Sequence, residues 1–420
     1  MSADSLEKIQ QMCKPGSHLG LDRLTELLRR LGDPQNGLRY VHVAGSNGKG
    51  SMCAMLSAIL TACGYKTGMY TSPQLLRLNE RYRINGQEIE DDVLAAVADK
   101  VRSVAVTMED VPTEFEITTA MMFEYFHQQC CDIVVLEVGM GGRLDATNVI
   151  PAPEVAVIGT IALEHTRELG DTMEKIAFEK AGIIKPGCAA VTYPAQPSVE
   201  AVFDAVCAEK SVVRQSARLG ELAVVETSLD RQRFSWGDYR SLTLHMAGSH
   251  QLCNAVMVLE TVEQLRRRGW NLPAEQVAAA LAAVRWPARL EVLRREPLML
   301  LDGAHNPQCM ETLAANLPGF LAGEKAVFLM GVMADKEYDA MIEHIRPFAR
   351  CFVCVTPKNE RALPAAEFVR HLQKLGCEAE AAQTVAEGVC RAVALAGNGP
   401  VVACGSLYMA GEIRLAAQEL

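Results

Sequence analysis

The run Gly45-Ser46-Asn47-Gly48-Lys49-Gly50-Ser51 carries the first chemistry legible in this chain. Glycines let backbone N–H groups close around phosphate oxygens, Lys49 adds a cation, and Ser51 offers a hydroxyl to Mg2+. An apolar stretch, 38–44, precedes the loop. After it, Met52, Met55, Leu56, Ile59, Leu60 and Cys63 recur at helical spacing along one face, and Gly64 offers a C-terminal cap. Strand, glycine-rich loop and helix form the setting that a phosphate-binding loop requires. The standard lysine-containing pattern is met incompletely. Its first glycine would fall at Val43, and its Ser/Thr would follow Lys49 directly, where Gly50 stands. A plain glycine-rich turn is the alternative; the flanking strand and helix favour nucleotide binding.

Three further segments hold candidate groups. DIVVLEVGMGGRLDATN ends an apolar run at Glu137 and continues into a glycine loop with Arg143 and Asp145. A carboxylate at the C-terminal end of a parallel strand faces the crevice where α/β sheets bind ligands, and it suits Mg2+; capping a neighbouring loop is its other use. EVAVIGTIALEHTRELG ends in Glu164-His165-Thr166, where His165 is either structural or a ligand. In TMEKIAFEKAGI, Met173, Ile176, Ala177, Lys180 and Ala181 share one helical face, so Lys180 lies on the apolar stripe. Burial would favour a neutral, reactive amine there; snorkelling to the surface is the other outcome.

The elements that must position these groups alternate. Strand-like runs at 38–44, 132–138, 154–161, 298–302, 325–332 and 399–405 are separated by helical stretches, which predicts βαβ units and parallel sheets. Residues 211–246 break the rhythm with short runs that read as antiparallel strands, followed by a helix from Gln251 to Trp270. VRWPARLEVLRREP then carries two prolines and a basic cluster. The expected division is therefore 1–290 and 291–420. The first part is expected to be a P-loop-type mononucleotide-binding domain with a parallel sheet and a small antiparallel sheet; the second, a Rossmann-like α/β domain.

Composition sets the limits. The chain has 420 residues, 49% hydrophobic and 22% charged, as in a globular protein of about two to three domains. A net charge of −10 argues against a general nucleic-acid binder but leaves room for a locally basic anion site. No apolar run reaches membrane-span length, and MSADSLEKIQ lacks the pattern of a secretory signal, so the expected compartment is the cytoplasm. The 14 cysteines are scattered. Cys351 and Cys354 form a lone CxxC without a second ligand pair, so they read as small buried hydrophobes in a reducing compartment.

Taken together, the blocks VAGSNGKGS (43–51), TSPQLLRLNERYRING (71–86), TEFE (113–116), LEVGMGGRLDATN (136–148), EHTRELG (164–170), EKAGIIKPG (179–187), GSHQLCNA (248–255), PARLE (287–291), LDGAHNP (301–307) and CGSLYMAGE (404–412) resemble the folylpolyglutamate synthase/dihydrofolate synthase family of the Mur ligase superfamily. The resemblance implies an ATP-dependent amide ligase. It would phosphorylate a carboxylate of a folate, or of dihydropteroate, and join L-glutamate to it through an acyl phosphate.

By the same resemblance Gly45, Asn47, Gly48, Lys49, Gly50 and Ser51 hold the ATP phosphates, and Asn254, Arg289 and Asp302 contact the nucleotide. Ser51 and Glu137 would bind one Mg2+, and His165 a second. Lys180 matches a lysine that the family carbamylates. His305 and Ser406 fall where the incoming glutamate is expected, and Lys49, Lys180 and His305 are the implied catalytic set. Ser72, Arg81, Phe115 and Glu116 match positions on the acceptor side, where structural packing is the competing role. Three positions depart from the family pattern: Gln74 replaces a histidine, Glu164 an aspartate and Ala288 a glycine. TEFE and TSPQLLRLNERYRING favour a folate over the UDP-linked acceptor of other Mur ligases, the second ligase reading. The resemblance also implies a monomer acting on small molecules; the acidic charge and the lack of a membrane-length apolar run argue against nucleic-acid and membrane partners.

Overall fold

The structure, a computed structural model, describes Cys13 and residues 19–420. Short apolar runs rich in Val, Ile and Leu form strands here because both faces are covered, as parallel sheets require. The first sheet contains β1 (Tyr40–Ala44), β2 (Thr67–Tyr70), β3 (Tyr82–Ile84), β4 (Gln87–Glu88), β5 (Ile133–Glu137), β6 (Val155–Ile158), β7 (Ala189–Thr192) and β8 (Arg214–Ser216). Its order is β4-β3-β2-β5-β1-β6-β7-β8. The six strands from β2 to β8 in that order run parallel, while β3 is antiparallel to β2, and β4 to β3.

Two expectations change in the structure. The segment from 211 was read as entirely antiparallel, yet β8 pairs parallel with β7 at the sheet edge. Only β9 (Ala223–Thr227), β10 (Gln232–Trp236) and β11 (Tyr239–Leu244) make the small three-stranded sheet. The helix after the glycine loop, Lys49–Ala62, was read as amphipathic. It is instead buried on nearly all sides, from Gly50 to Ser57 and again at Ile59 and Leu60. It packs on β2 and β5 with the helix Ala274–Ala283 on its other side, so a second apolar layer replaces solvent. Gly64, at φ +91°, closes this helix with its N–H on Thr61 O, and the Tyr65 N–H reaches Leu60 O.

The second sheet contains β12 (Glu291–Arg295), β13 (Leu298–Leu301), β14 (Ala326–Met330), β15 (Ala349–Cys354), β16 (Ala379–Ala381) and β17 (Val401–Cys404). Its order is β12-β13-β17-β14-β15-β16, all parallel except β12. The chain divides into two compact units. One runs to Ala223 and adds Ser235–Leu242 and Cys253–Val284; the other comprises Val224–Phe234, Thr243–Leu252 and Arg285–Leu420. Each unit has its own core. Phe123, Phe126, Tyr40 and Tyr82 anchor a cluster in the first, and Phe328, Phe352 and Phe368 one in the second.

Candidate functional site

In the first unit the candidate groups gather at the carboxyl ends of three adjacent strands. β1 lies between β5 and β6, with Val43 opposite Glu137 and Ala44 opposite Ile158. The glycine loop leaves β1, Glu137 ends β5, and the Glu164-His165 turn follows β6. Ligands of open α/β sheets bind in this kind of crevice.

The loop itself is tightly set. The Ser46 N–H donates to Thr160 O at 2.7 Å, and Ser46 Oγ accepts the Ala162 N–H at 2.9 Å. The Lys49 ammonium folds onto its own loop, donating to Gly45 O at 2.8 Å and Ser46 O at 3.3 Å. Gly48 has φ +83°, and a Cβ there would stand 2.5 Å from Asn254 Oδ1. Asn254, on the helix Ser249–Arg267, is thus lodged against the loop. Asn47, Gly45 and Gly50 complete the curve.

Ser51 Oγ is buried and has no hydrogen-bond partner. Such a group carries a desolvation cost until something binds it. Glu137 is buried at the neighbouring strand end, where Oε2 accepts the Ser72 N–H at 3.0 Å. Among the described residues no three His, Cys, Asp or Glu side chains form a metal cage. A hydroxyl and a carboxylate without a cage fit Mg2+, which keeps water and phosphate oxygens in its shell. His165, at φ +72°, begins the short helix Thr166–Leu169 beside Glu164.

Lys180 is 1% exposed on the helix Met173–Ala181, so the buried outcome holds and snorkelling does not occur. Its ammonium donates to Glu164 Oε1 at 2.5 Å. Burial lowers the affinity of Lys180 for its proton, with Glu164 opposing. Burial pushes Glu164 up, but Lys180, Lys49 and His165 outweigh it and hold the carboxyl at about 2. The glycine loop after β5 fixes this helix. The Arg143 N–H donates to Glu179 O at 2.7 Å, and a Cβ on Gly142 would stand 2.8 Å from that same oxygen. Asp145 is consumed locally, accepting the N–H groups of Met140 and Thr147.

The acceptor-side residues divide. Arg81 and Ser72 sit at the end of β2, where the Thr71 N–H donates to Arg81 O at 3.3 Å. The Phe115 ring lies against Gly139 of the glycine loop. The Glu116 carboxylate closes a helix start with Thr113 and receives Arg23 Nε at 3.1 Å on each oxygen. That is the packing role weighed for it.

In the second unit, β13 and β17 end side by side, and the Gly405 N–H donates to Ala304 O at 2.8 Å. His305 and Ser406 therefore leave adjacent strand ends. His305 Nδ1 donates to Gly303 O at 2.8 Å, and Ser406 Oγ accepts the Tyr408 N–H at 3.2 Å. Asp302 Oδ2 accepts the Leu290 N–H and Oδ1 the Ala304 N–H, each at 2.8 Å, fixing the turn that carries Arg289. Burial raises the Asp302 carboxyl, with the Arg289 cation opposing.

Sequence reasoning treated Glu164 only as a departure and did not place it in the site. The signal was present: a lysine on an apolar stripe demands a buried partner.

The chain matches the family models for the Mur ligase middle domain over 43–262 and the Mur ligase glutamate ligase domain over 288–406. It is 34% identical to the folylpolyglutamate synthase of Lacticaseibacillus casei, over 97% of this chain and 96% of that one. The structure superposes on Mycobacterium tuberculosis folylpolyglutamate synthase complexed with ADP and AMPPCP, with TM-score 0.90, 30% identity and 99% of each chain covered. It also superposes on Escherichia coli FolC in complex with DHPP and ADP, with TM-score 0.86, 29% identity, and 99% and 97% covered.

Proposed function

The chain belongs to the folylpolyglutamate synthase/dihydrofolate synthase family of Mur ligases, and we propose that it is an ATP-dependent ligase joining L-glutamate to a folate, with dihydropteroate as a further acceptor. The observation that carries the reading is the phosphate loop with Asn254 lodged on Gly48, at the strand ends that also hold Glu137 and Glu164-His165.

The roles follow from the chemistry of each group. Loop N–H groups and Lys49 would receive the ATP phosphates, with Lys49 exchanging the carbonyls of Gly45 and Ser46 for phosphate oxygens. Attack by an acceptor carboxylate on the terminal phosphorus forms an acyl phosphate and releases ADP. The glutamate amine then attacks the acyl carbon, and phosphate leaves. Both steps concentrate negative charge, so prearranged cations and N–H dipoles lower the barrier. Ser51 and Glu137 would hold one Mg2+ and His165 a second, each neutralising phosphoryl charge. In the second unit, His305 Nδ1–H is held by Gly303 O, which makes Nε2 the lone-pair nitrogen. It would take the ammonium proton of glutamate, with Ser406 beside it and Arg289 and Asp302 toward the nucleotide.

Lys180 is proposed to be carbamylated. The ammonium first gives up one proton; the neutral amine then attacks CO2, an N–C bond forms as a C=O π bond opens, and a second proton is released, so a cation becomes an anion. Its burial supports this by disfavouring the ammonium. We further assign the ATP chemistry to 1–290 and the glutamate chemistry to 291–420, in a cytoplasmic monomer.

The test is phosphate release with ATP, Mg2+ and glutamate, comparing dihydropteroate with tetrahydrofolate and weighing the products. Turnover of both establishes a bifunctional enzyme; turnover of neither overturns the reading.

A further inference from the structure

Arg81 is a buried guanidinium at the end of β2, one strand from Glu137 at the end of β5. Its hydrogen-bond partners are neutral oxygens, while the Glu114 carboxylate acts on it from beyond hydrogen-bond reach. Nε donates to Gln74 Oε1 at 2.7 Å and Nη1 to Thr118 Oγ1 at 3.3 Å, with the Tyr70 hydroxyl also in reach. Among the described residues no carboxylate lies within ion-pair distance of it. A buried cation whose opposing carboxylate, Glu114, stands beyond ion-pair distance gains when an anion arrives to meet it directly. Gln74 belongs to the same loop as Ser72, which is tied to Glu137. It is also one of the three positions where this sequence departs from the family pattern.

We propose that Gln74 is a positioning residue that selects the acceptor: by engaging Arg81 Nε, it holds the terminal N–H edge of the guanidinium for the non-reacting carboxylate of a glutamylated acceptor. The inference rests on the ligase reading above. Dihydropteroate has one carboxylate, which is the reacting one. Tetrahydrofolate has a second, which remains anionic while the first is phosphorylated. Only the glutamylated acceptor can therefore bring a carboxylate into direct contact with Arg81 throughout the reaction. A guanidinium with one edge fixed presents the other as a two-donor fork.

The experiment compares wild type, Gln74→Ala, Gln74→Glu and Gln74→His in the full chain. It measures KM and kcat for tetrahydrofolate and dihydropteroate, and equilibrium binding of both without turnover. Thermal unfolding shows whether each variant folds. Gln74→Ala is expected to raise the ratio of tetrahydrofolate KM to dihydropteroate KM about tenfold, the loss of one charge-assisted contact, with little change in kcat. Gln74→Glu keeps the contact to Nε but neutralises Arg81, and should raise the ratio at least as far. Gln74→His offers a ring-nitrogen acceptor and should restore it. Equal shifts for both acceptors, or a Gln74→Glu variant that behaves as wild type, overturn the proposal. A wild type that binds both acceptors without turnover fails the reaction reading, while the variants' binding ratios still decide this one. A wild type that binds neither overturns both.

Discussion

Asn254 Oδ1 stands 2.5 Å from where a Cβ on Gly48 would be, so the helix Ser249–Arg267 and the glycine loop can touch only because residue 48 has no side chain. Gly48 also sits at φ +83°, a conformation that L residues adopt at a cost. Gly48→Ala therefore meets strain and a clash together. Its affinity for ATP should fall at least tenfold, measured by calorimetry. In Gly48→Ala/Asn254→Ala the clash is gone, and the two losses should fail to add. Additive losses would separate Asn254 from the loop.

Ser51→Ala separates folding from nucleotide chemistry. The hydroxyl is buried without a partner, so its removal should leave the ligand-free protein as stable or slightly more stable. The same change should lower turnover with Mg2+ and ATP by about a hundredfold, the scale of losing one transition-state ligand. Loss of stability without loss of turnover would assign Ser51 a structural role only.

Lys180→Ala leaves the largely buried Glu164 without its ion-pair partner. Breaking such a pair costs about 3–5 kcal/mol, read by denaturant unfolding. Turnover should fall far more than ATP affinity. If bicarbonate depletion and the substitution both leave the rate unchanged, Lys180 is not carbamylated.

Asp302→Ala frees the N–H groups of Leu290 and Ala304 and releases the Arg289 turn. Stability should fall by about 2–4 kcal/mol, for two buried donors left unmet, and ATP should bind more weakly. Asp302→Asn keeps one acceptor oxygen and should fall between. Unchanged nucleotide affinity removes Asp302 from the site.

His42 gives the pH dependence of folding. It is fully buried in β1, and Nε2 meets Thr147 Oγ1 at 2.9 Å. The Thr147 hydroxyl donates onward to Asp145, which makes His42 Nε2 the donor. Burial, with Lys185 nearby, lowers the imidazole from 6.5 to about 3. The unfolded chain takes up a proton as pH drops below 6.5, and the native chain does not. The stability contributed is complete above pH 6.5 and is lost as pH falls toward 3. Between pH 6.5 and 4.5 the loss is up to about 2–3 kcal/mol. His42→Asn should flatten that part of the unfolding curve; an identical slope would show that His42 titrates in the native state.

Much of the fold was legible because strands and helices are local patterns. The runs at 38–44, 132–138, 154–161 and 399–405 each enclose the strand expected, and Lys180 on its apolar stripe is buried as periodicity allowed. The helix Lys49–Ala62 was misjudged because spacing shows which face is apolar, not that a second helix covers the other. β8 was misjudged because a three-residue strand takes its direction from its neighbour, and its own sequence holds no record of that neighbour.

The sequence by itself determined the phosphate loop, the family and the types of group available, since each is written in contiguous residues. Only the tertiary structure decided which of those groups meet. Glu164 pairs with Lys180, Gln74 with Arg81, and Asn254 seats on Gly48, across 16, 7 and 206 positions of chain. The Gln74–Arg81 contact closes within one short segment after β2, while the others depend on how the elements around the ends of β1, β5 and β6 pack together. Sheet order is fixed by the burial of whole layers rather than by the spacing within any one segment.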